Sequence, residues 1–183
     1  ANPLGTYALG VDVGCTNFTI RNNILVNIYN QTSGGSSFAL WVANGNTFSS
    51  DFNDLYINST LPNSYIGHFN SDYRTLSAWQ NTGKDLHSYS ELPEFIAPDD
   101  LHINTLIPTY LESGGTPVTG IYFDFDGDAR NLTTPDIGAD EFNGIIKIPP
   151  ALVLTPEAID FGIVSIGQFS DAVSVIVKNQ SAQ

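Results

Sequence analysis

The sequence is poor in cysteine, methionine and positive charge. Its single cysteine, Cys15, excludes an internal disulfide and any metal site built from several cysteines, and we expect it to be a small buried hydrophobic residue. Six Lys and Arg residues against 19 Asp and Glu give a net charge of −13, which argues against nucleic acid or an anionic membrane surface as a partner. Since no apolar run reaches about 18 residues, the sequence predicts no membrane insertion.

The same composition indicates a strand-rich fold. Charged residues make up only 14% of the 183 residues, and much of the polarity comes from Asn, Ser, Thr and Gly. The 11 Phe and 8 Tyr residues favour β-structure. The length suits one domain, or one domain and a fragment. Because the sequence has no Met and no signal-peptide pattern, we expect it to be a mature or excised piece of a longer protein.

An internal repeat of 31 residues relates Tyr7–Tyr29 to Phe38–Thr60. Each copy holds a short strand, a Gly/Asn turn and a second strand, which predicts stacked coils of a solenoid. Ser64–Asn70 is predicted to begin a third coil with compressed spacing. The identical positions are Ala8/Ala39, Leu9/Leu40, Val11/Val42, Gly14/Gly45, Thr16/Thr47, Asn22/Asn53 and Asn27/Asn58.

The repeat makes specific predictions about stacking. Leu9 should lie on Leu40 in the interior, and Asn22 should lie beside Asn53 at a corner, where their amides form a ladder along the stack. Four aromatic residues of this region have two interpretations, as core stacks or as an outward strip for sugars; they are Trp41, Tyr56, Tyr65 and Tyr73.

One helix is predicted within Ser71–Ser88. Thr75 can cap its start, Leu76, Ala78 and Trp79 give it an apolar side, and Gly83 ends it. We expect Trp79 to close over one side of the stack.

The most acidic stretch is Ile121–Phe142, IYFDFDGDARNLTTPDIGADEF. Its alternating start predicts a strand over Tyr122–Asp126. Arg130 is its one basic residue and is predicted to be the counterion of the surrounding carboxylates, which are Asp124, Asp126, Asp128, Asp136, Asp140 and Glu141. The alternating acids Asp124, Asp126 and Asp128 also have the spacing of a calcium loop, but no Glu stands at its twelfth position. Calcium at this run therefore stays open, and no other metal or cofactor is predicted.

No catalytic site is predicted, and the binding residues are unknown. His68, His87 and His102 are not at metal-ligand spacing to one another, and no G-x-S-x-G elbow is present. A pair of carboxylates for glycoside hydrolysis could be drawn from three acids of the coil region, but the sequence does not fix their separation. These acids are Asp51, Asp54 and Asp72, and the basic residues of the coil region are Arg21, Arg74 and Lys84.

Two motifs resemble known families. Asp124–Arg130 and Asp136–Glu141 resemble the signature DxDGDxR followed by DIGAxE, which ends right-handed parallel β-helix domains of the pectate-lyase-like superfamily. Thr75–Ser88 resembles a segment upstream of that signature. The final segment resembles the opening of an immunoglobulin-like module of the ASPM–SPD-2–Hydin type. The matching residues are Leu154, Pro156, Asp160–Gly162, Val164, Gly167 and Val175–Asn179.

The resemblances imply an all-β chain in three parts. Residues 1–144 are expected to be the C-terminal part of a β-helix, 145–150 a linker, and 151–183 the truncated start of an immunoglobulin-like domain, which needs about 100 residues when complete. We expect its apolar face to pair with another part of the protein or with another chain.

The resemblance to large secreted surface proteins of Bacteroidota, many exported by type IX secretion, also implies a function. It suggests a non-catalytic structural, adhesin-like or glycan-binding module at the bacterial cell surface. The alternative is the C-terminal end of a polysaccharide lyase or glycoside hydrolase whose active site lies upstream of this chain.

Overall fold

The computed structural model describes residues 5–29, 35–58, 60–149, 152–156 and 158–179. The chain divides into two units, Ala1–Ile146 and Lys147–Gln183. The described residues are mostly strand and turn, with one short helix, so the fold is all-β. Among them, no helix has the length and apolar character needed to cross a membrane.

Unit 1 begins with two successive sets of three strands. The turns between the first and second strands of each set contain Gly14 and Gly45, whose φ angles of +89° and +85° are left-handed and suit glycine. The second set repeats the first, as the sequence repeat predicts. The strands are β1 (Thr6–Val11), β2 (Thr16–Arg21), β3 (Ile24–Asn27), β4 (Ser37–Val42), β5 (Thr47–Asp51) and β6 (Asp54–Ile57).

Each strand of the first set pairs in parallel with its counterpart in the second. β1 pairs with β4, β2 with β5 and β3 with β6. Leu9 lies opposite Leu40, which confirms the predicted stack, and Leu40 is fully buried. Each of the three parallel pairs therefore joins strands that are one repeat apart. Together they position the larger hydrophobic cluster of unit 1, which is the first core.

The predicted Asn22/Asn53 ladder is wrong by one residue. The register shifts between Thr16 and Phe18, where Asn17 has a φ of 58° and forms an extra residue in the first set. Beyond this point Asn23, not Asn22, lies beside Asn53 and donates to its Oδ1 from the backbone (3.0 Å) and the side chain (3.1 Å). Asn22 instead bonds to the backbone of Thr116, far along the chain.

A third turn of chain follows with shorter spacing, as predicted. β7 (Ser64–Phe69) pairs in parallel with β4, and β8 (Ser71–Tyr73) then folds back antiparallel on β7. The helix α1 spans only Leu76–Gln80, and the Thr75 hydroxyl accepts the N–H of Ala78 at 3.2 Å. The helix is shorter than the predicted segment because Ser71–Tyr73 forms a strand and Gly83, at φ +82°, lies in a turn.

Trp79 joins the third turn to the first core. Its side chain is fully buried among aliphatic residues that include Leu40, Leu55 and Ile66. Its ring lies where a Cβ on Gly67 would be only 2.7 Å away, so a side chain at position 67 would displace it. The Trp79 indole N–H donates to the buried carboxylate of Asp85 at 2.7 Å.

A buried polar network surrounds Asp85. Its Oδ1 accepts from the side chains of Asn53 (2.9 Å) and Ser88 (2.6 Å). Asn53 also donates to the carbonyl of Ile20 at 3.1 Å. The chain then returns to the stack, because the N–H of Asp85 bonds to the carbonyl of Ser50 and Tyr89 bridges Asp54 in parallel.

The aromatic residues of the stack cover one another's faces. Trp41 lies between Tyr7 and His68, with ring centroids 6.0 and 5.6 Å apart and interplanar angles of 20° and 13°. Tyr65 stacks on the buried ring of Phe38 at 5.3 Å, and Tyr73 contacts Trp79 edge-on. Trp41 and Tyr65 therefore have ring faces taken up by neighbouring rings, which disfavours the sugar-strip interpretation for these two. Tyr56 lies opposite Val26 in the β3–β6 pair and is half-buried, so both interpretations for it stay predictions.

Residues 90–146 add a second, smaller core beside β3. β9 (Phe95–Ala97) and β10 (Asp100–Ile103) form an antiparallel hairpin. Ile103, Leu111 and Ile137 are buried together, with Ile24 packed against them. This cluster holds the acidic stretch next to the hairpin.

The prediction for Cys15 is wrong. Its side chain is exposed, because it lies in the turn between β1 and β2 rather than on an inward strand position.

In unit 2 the described residues form one antiparallel pair, β11 (Leu152–Thr155) and β12 (Ile176–Asn179). Several of its apolar side chains are exposed, including Phe161 (55%) and Val177 (60%). The predicted partner for this apolar face stays a prediction.

The Asn53 network gives a stability test. Replacing Asn53 by Ala removes hydrogen bonds to Asn23, Ile20 and Asp85 and leaves buried groups unpaired, so we expect a loss of about 3 kcal/mol. Asn23→Ala, at the partly exposed end of the same pair, should cost about 1 kcal/mol. Urea unfolding monitored by tryptophan fluorescence measures both. Equal losses for the two variants would show that the Asn53–Asp85 bond adds nothing.

Candidate functional site

The acidic stretch folds around the carboxylate of Asp124. Its Oδ1 accepts the backbone N–H groups of Asp126 (2.9 Å) and Asp128 (2.8 Å), and its Oδ2 accepts that of Glu141 (2.9 Å). Burial raises the pKa of Asp124, but these backbone donors outweigh it and hold the pKa below its usual value. The result is a tight loop, which Gly127 completes at φ +91°.

The predicted strand over Tyr122–Asp126 is wrong. The only pairing there is a single antiparallel bridge between Phe123 and Ala129. The reason is local, because a side-chain carboxylate that binds the N–H groups two and four residues ahead competes with extended strand pairing. The alternation of aromatic and acidic residues therefore belongs to a turn.

Arg130 bonds to fewer carboxylates than predicted. It pairs with Glu141 alone, Nη1 to Oε2 at 3.3 Å. Its other partners are backbone carbonyls, those of Gly138 (2.8 Å) and Asp136 (3.3 Å). Both side chains of the ion pair are largely buried, with exposures of 10% and 13%. Arg130 therefore fastens the loop to the 136–141 segment, and among the described residues it forms no ion pair with Asp124, Asp126, Asp128 or Asp140.

Asp136 is the buried acid of the stretch. Its two oxygens accept the backbone N–H groups of Ser113 (2.6 Å) and Phe142 (2.7 Å). Burial raises its pKa to about 7, and the nearby charges of Glu112 and Glu141 add to this effect. Asp136 therefore takes up a proton near neutral pH in the folded protein.

The calcium alternative at Asp124, Asp126 and Asp128 stays a prediction. Both oxygens of Asp124 already accept backbone donors, and Asp126 faces His102. In this arrangement the Asp124 carboxylate organises the backbone.

A cleft of about 710 Å³ opens between the β9–β10 hairpin and the acidic loop. Its wall combines carboxylates, one histidine, amides and apolar side chains, of which Phe125 is 84% exposed and Leu101 68%. The polar lining residues are Asn22, Asn23, Asp99, Asp100, His102, Asp126 and Asp140.

His102 links the two walls of this cleft. Its Nδ1 lies 2.5 Å from Asp100 Oδ1 and its Nε2 lies 3.0 Å from Asp126 Oδ2. The hydrogen bond with Asp100 is the largest cause that raises the pKa of His102 to about 9, and the bond with Asp126 is the next. The bond between His102 and Asp100 also lowers the pKa of Asp100. Burial raises the pKa of Asp140, against the opposing charge of His102.

Other histidines, acids and basic residues named in the sequence analysis have partners away from this cleft. His87 pairs with Asp51 at 2.8 Å and His68 with Asp72 at 2.5 Å. Asp54 is buried and accepts the N–H of Glu91 at 2.9 Å. The basic residues include Lys84 over the rings of Phe48 and Phe69 and Arg74 over the ring of Tyr65.

Sequence reasoning missed the group His102, Asp126 and Asp140. One ligand-type atom from each lies within 4.8 Å of the others. Asp126 is 24 positions beyond His102, so no local spacing could reveal the group. Only the docking of the hairpin on the acidic loop brings these side chains together.

Comparisons of this chain with protein-family models, with curated proteins and with solved structures found no match.

The Arg130 pair predicts a stability loss. Arg130→Ala leaves Glu141 largely buried without its counterion and two carbonyls without their donor, so we expect a loss of about 3 kcal/mol. Arg130→Lys keeps the charge but not the fork, and should lose less. Chemical unfolding of the three proteins at pH 7 measures the difference. A loss below about 1 kcal/mol for Arg130→Ala would mean that the pair behaves as an exposed one.

Asp136 predicts a pH dependence of stability. Its pKa is higher in the folded protein, about 7, than the ordinary value of 3.8, so its contribution is full below 3.8 and is lost as the pH rises through 7. We therefore expect a falling free energy of unfolding between pH 5 and 7. Asp136→Asn should flatten this part of the profile, although it also lowers stability by removing one acceptor. Parallel slopes for the two proteins would contradict the assignment.

Proposed function

We propose that this chain is a non-catalytic structural and glycan-binding module of a large secreted or cell-surface bacterial protein. Its proposed architecture is the final coils of a right-handed parallel β-helix, followed by the first strands of an immunoglobulin-like sandwich. The parallel pairing of β1, β2 and β3 with the strands one repeat later supports the first part. The antiparallel pair of β11 and β12 is compatible with the second.

The cleft beside the acidic loop is the proposed glycan site, and the exposed ring of Phe125 is the observation that carries the proposal. Sugars bind proteins through a C–H face laid on an aromatic ring and through hydrogen bonds from their hydroxyls. Trp41 and Tyr65 stack on neighbouring rings, whereas the described ring contacts do not involve Phe125, which is 84% exposed. Asn22, Asn23 and Asp100 line the same cleft and offer hydrogen-bonding groups.

The charge of the cleft restricts the class of glycan. Four carboxylates line it, those of Asp99, Asp100, Asp126 and Asp140, against one histidine, and the whole chain carries −13. Polyuronates would meet repulsion in such a cleft. We therefore expect neutral sugars or amino sugars as ligands, and this expectation disfavours the alternative of a lyase acting on acidic polysaccharides.

A pair of aromatic variants tests the glycan site. Binding to a panel of neutral, amino-sugar and uronate oligosaccharides is measured by calorimetry for the wild type, Phe125→Ala and Phe123→Ala. Phe123 is a matched control, because it is 63% exposed, two positions away and outside the cleft lining. We expect Phe125→Ala to weaken binding about tenfold, the effect of losing about 1.4 kcal/mol, and Phe123→Ala to leave it unchanged.

Four outcomes would overturn this proposal. Equal losses in both variants, or no binding by the wild type, would remove the cleft as a glycan site. Formation of an unsaturated product that absorbs in the ultraviolet, or release of reducing ends, would show lyase or hydrolase activity within this chain.

A further inference from the structure

His102, Asp126 and Asp140 converge from three separate segments. His102 is on β10, Asp126 is in the turn around Asp124, and Asp140 belongs to the segment that Arg130 fastens. One ligand-type atom of each lies within 4.8 Å of the others, and His102 Nε2 is 3.0 Å from Asp126 Oδ2. Two ligands of a tetrahedral ion with bonds of about 2.0–2.2 Å lie roughly 3.4 Å apart. Small side-chain rotations therefore suffice to place all three around one ion.

The backbone that carries two of these ligands is fixed by one carboxylate. Asp124 Oδ1 accepts the N–H of Asp126, and Asp124 Oδ2 accepts the N–H of Glu141, which follows Asp140 directly. The backbone at both carboxylates is therefore held in place without a metal ion. A preformed set of ligands loses less conformational entropy on binding than a flexible one.

The histidine is oriented as a metal ligand usually is. Its Nδ1 is held by Asp100 at 2.5 Å, which turns Nε2 toward Asp126, and a bound ion would take the place of the proton on Nε2. Histidines that bind metals commonly make such a bond through their second ring nitrogen to a carboxylate or a backbone carbonyl. Neither of the other described histidines belongs to a set of three ligand-type residues, since His68 and His87 each pair with a single Asp.

From this geometry we infer that His102, Asp126 and Asp140 bind one divalent cation of the zinc type, with Asp100 as a positioning residue. The mixed set of one imidazole and two carboxylates suits zinc and its neighbours, whereas calcium prefers oxygen ligands only and more of them. Three protein ligands leave a coordination position open toward the cleft. The inference does not depend on the proposed glycan binding.

Zinc titration of chelator-treated, untagged protein at pH 7 tests the site. Calorimetry should give one Zn²⁺ per chain, and saturating Zn²⁺ should raise the melting temperature. We expect His102→Ala, Asp126→Asn and Asp140→Asn each to weaken binding at least tenfold, and Asp100→Asn to weaken it by about 10–100-fold through the imidazole. Calcium should bind far more weakly than zinc.

His87→Ala is the matched control, because His87 also forms an exposed pair with an Asp but has no third ligand beside it. It should bind zinc as the wild type does. Circular dichroism of each variant verifies its fold, and the Asp126→Asn and Asp140→Asn substitutions provide evidence even where His102→Ala unfolds. No zinc binding by the wild type would overturn the inference. Equal weakening of zinc binding by His87→Ala and His102→Ala would also overturn it, because it would show only diffuse attraction of zinc to an acidic surface.

Discussion

The hydrogen bond between Asn53 and Asp85 is the interaction on which the stacked part of the structure depends. Asn53 is fully buried, bonds back to Ile20 and Asn23 in the first set of strands, and reaches forward to Asp85 in the third turn. Asp85 in turn holds the indole of Trp79, which fills the core. A buried polar network of this kind is stable only when every member is satisfied. Three turns of chain therefore share one hydrogen-bond system.

The acidic loop uses carboxylates in a different way. Here the carboxylates accept backbone N–H groups that take no part in the described strand pairing. These carboxylates are those of Asp124, Asp136 and Glu141. Such bonds replace the ladder of a sheet, so a segment with almost no regular structure can still hold Asp126 and Asp140 in place beside His102. Burial raises the pKa of Asp136 to about 7, so the charge of this carboxylate changes near neutral pH.

Sequence reasoning succeeded where periodicity and repeat spacing decide the structure. The Leu9/Leu40 stack, the third turn at β7 and the Thr75 cap follow from such patterns. It failed where one residue changes the register, as Asn17 does for the Asn22 ladder. It also failed at Tyr122–Asp126. The alternation of aromatic and acidic residues there is typical of a strand, but the Asp124 carboxylate binds the backbone N–H groups of its own loop and forms a turn instead. The His102 group arises from tertiary docking alone.

The two edges of the largest sheet differ in length. Among the described residues β1 lies at one edge with six residues, and β8 lies at the other with three, folded back antiparallel on β7. Strand addition favours a long, regular edge over a short one. In the proposed β-helix, an upstream coil would pair with β1 just as β4 does, and β1 would then be an internal strand. At the other edge the three-residue β8 covers the end of β7 and leaves little backbone on which a further parallel coil could pair.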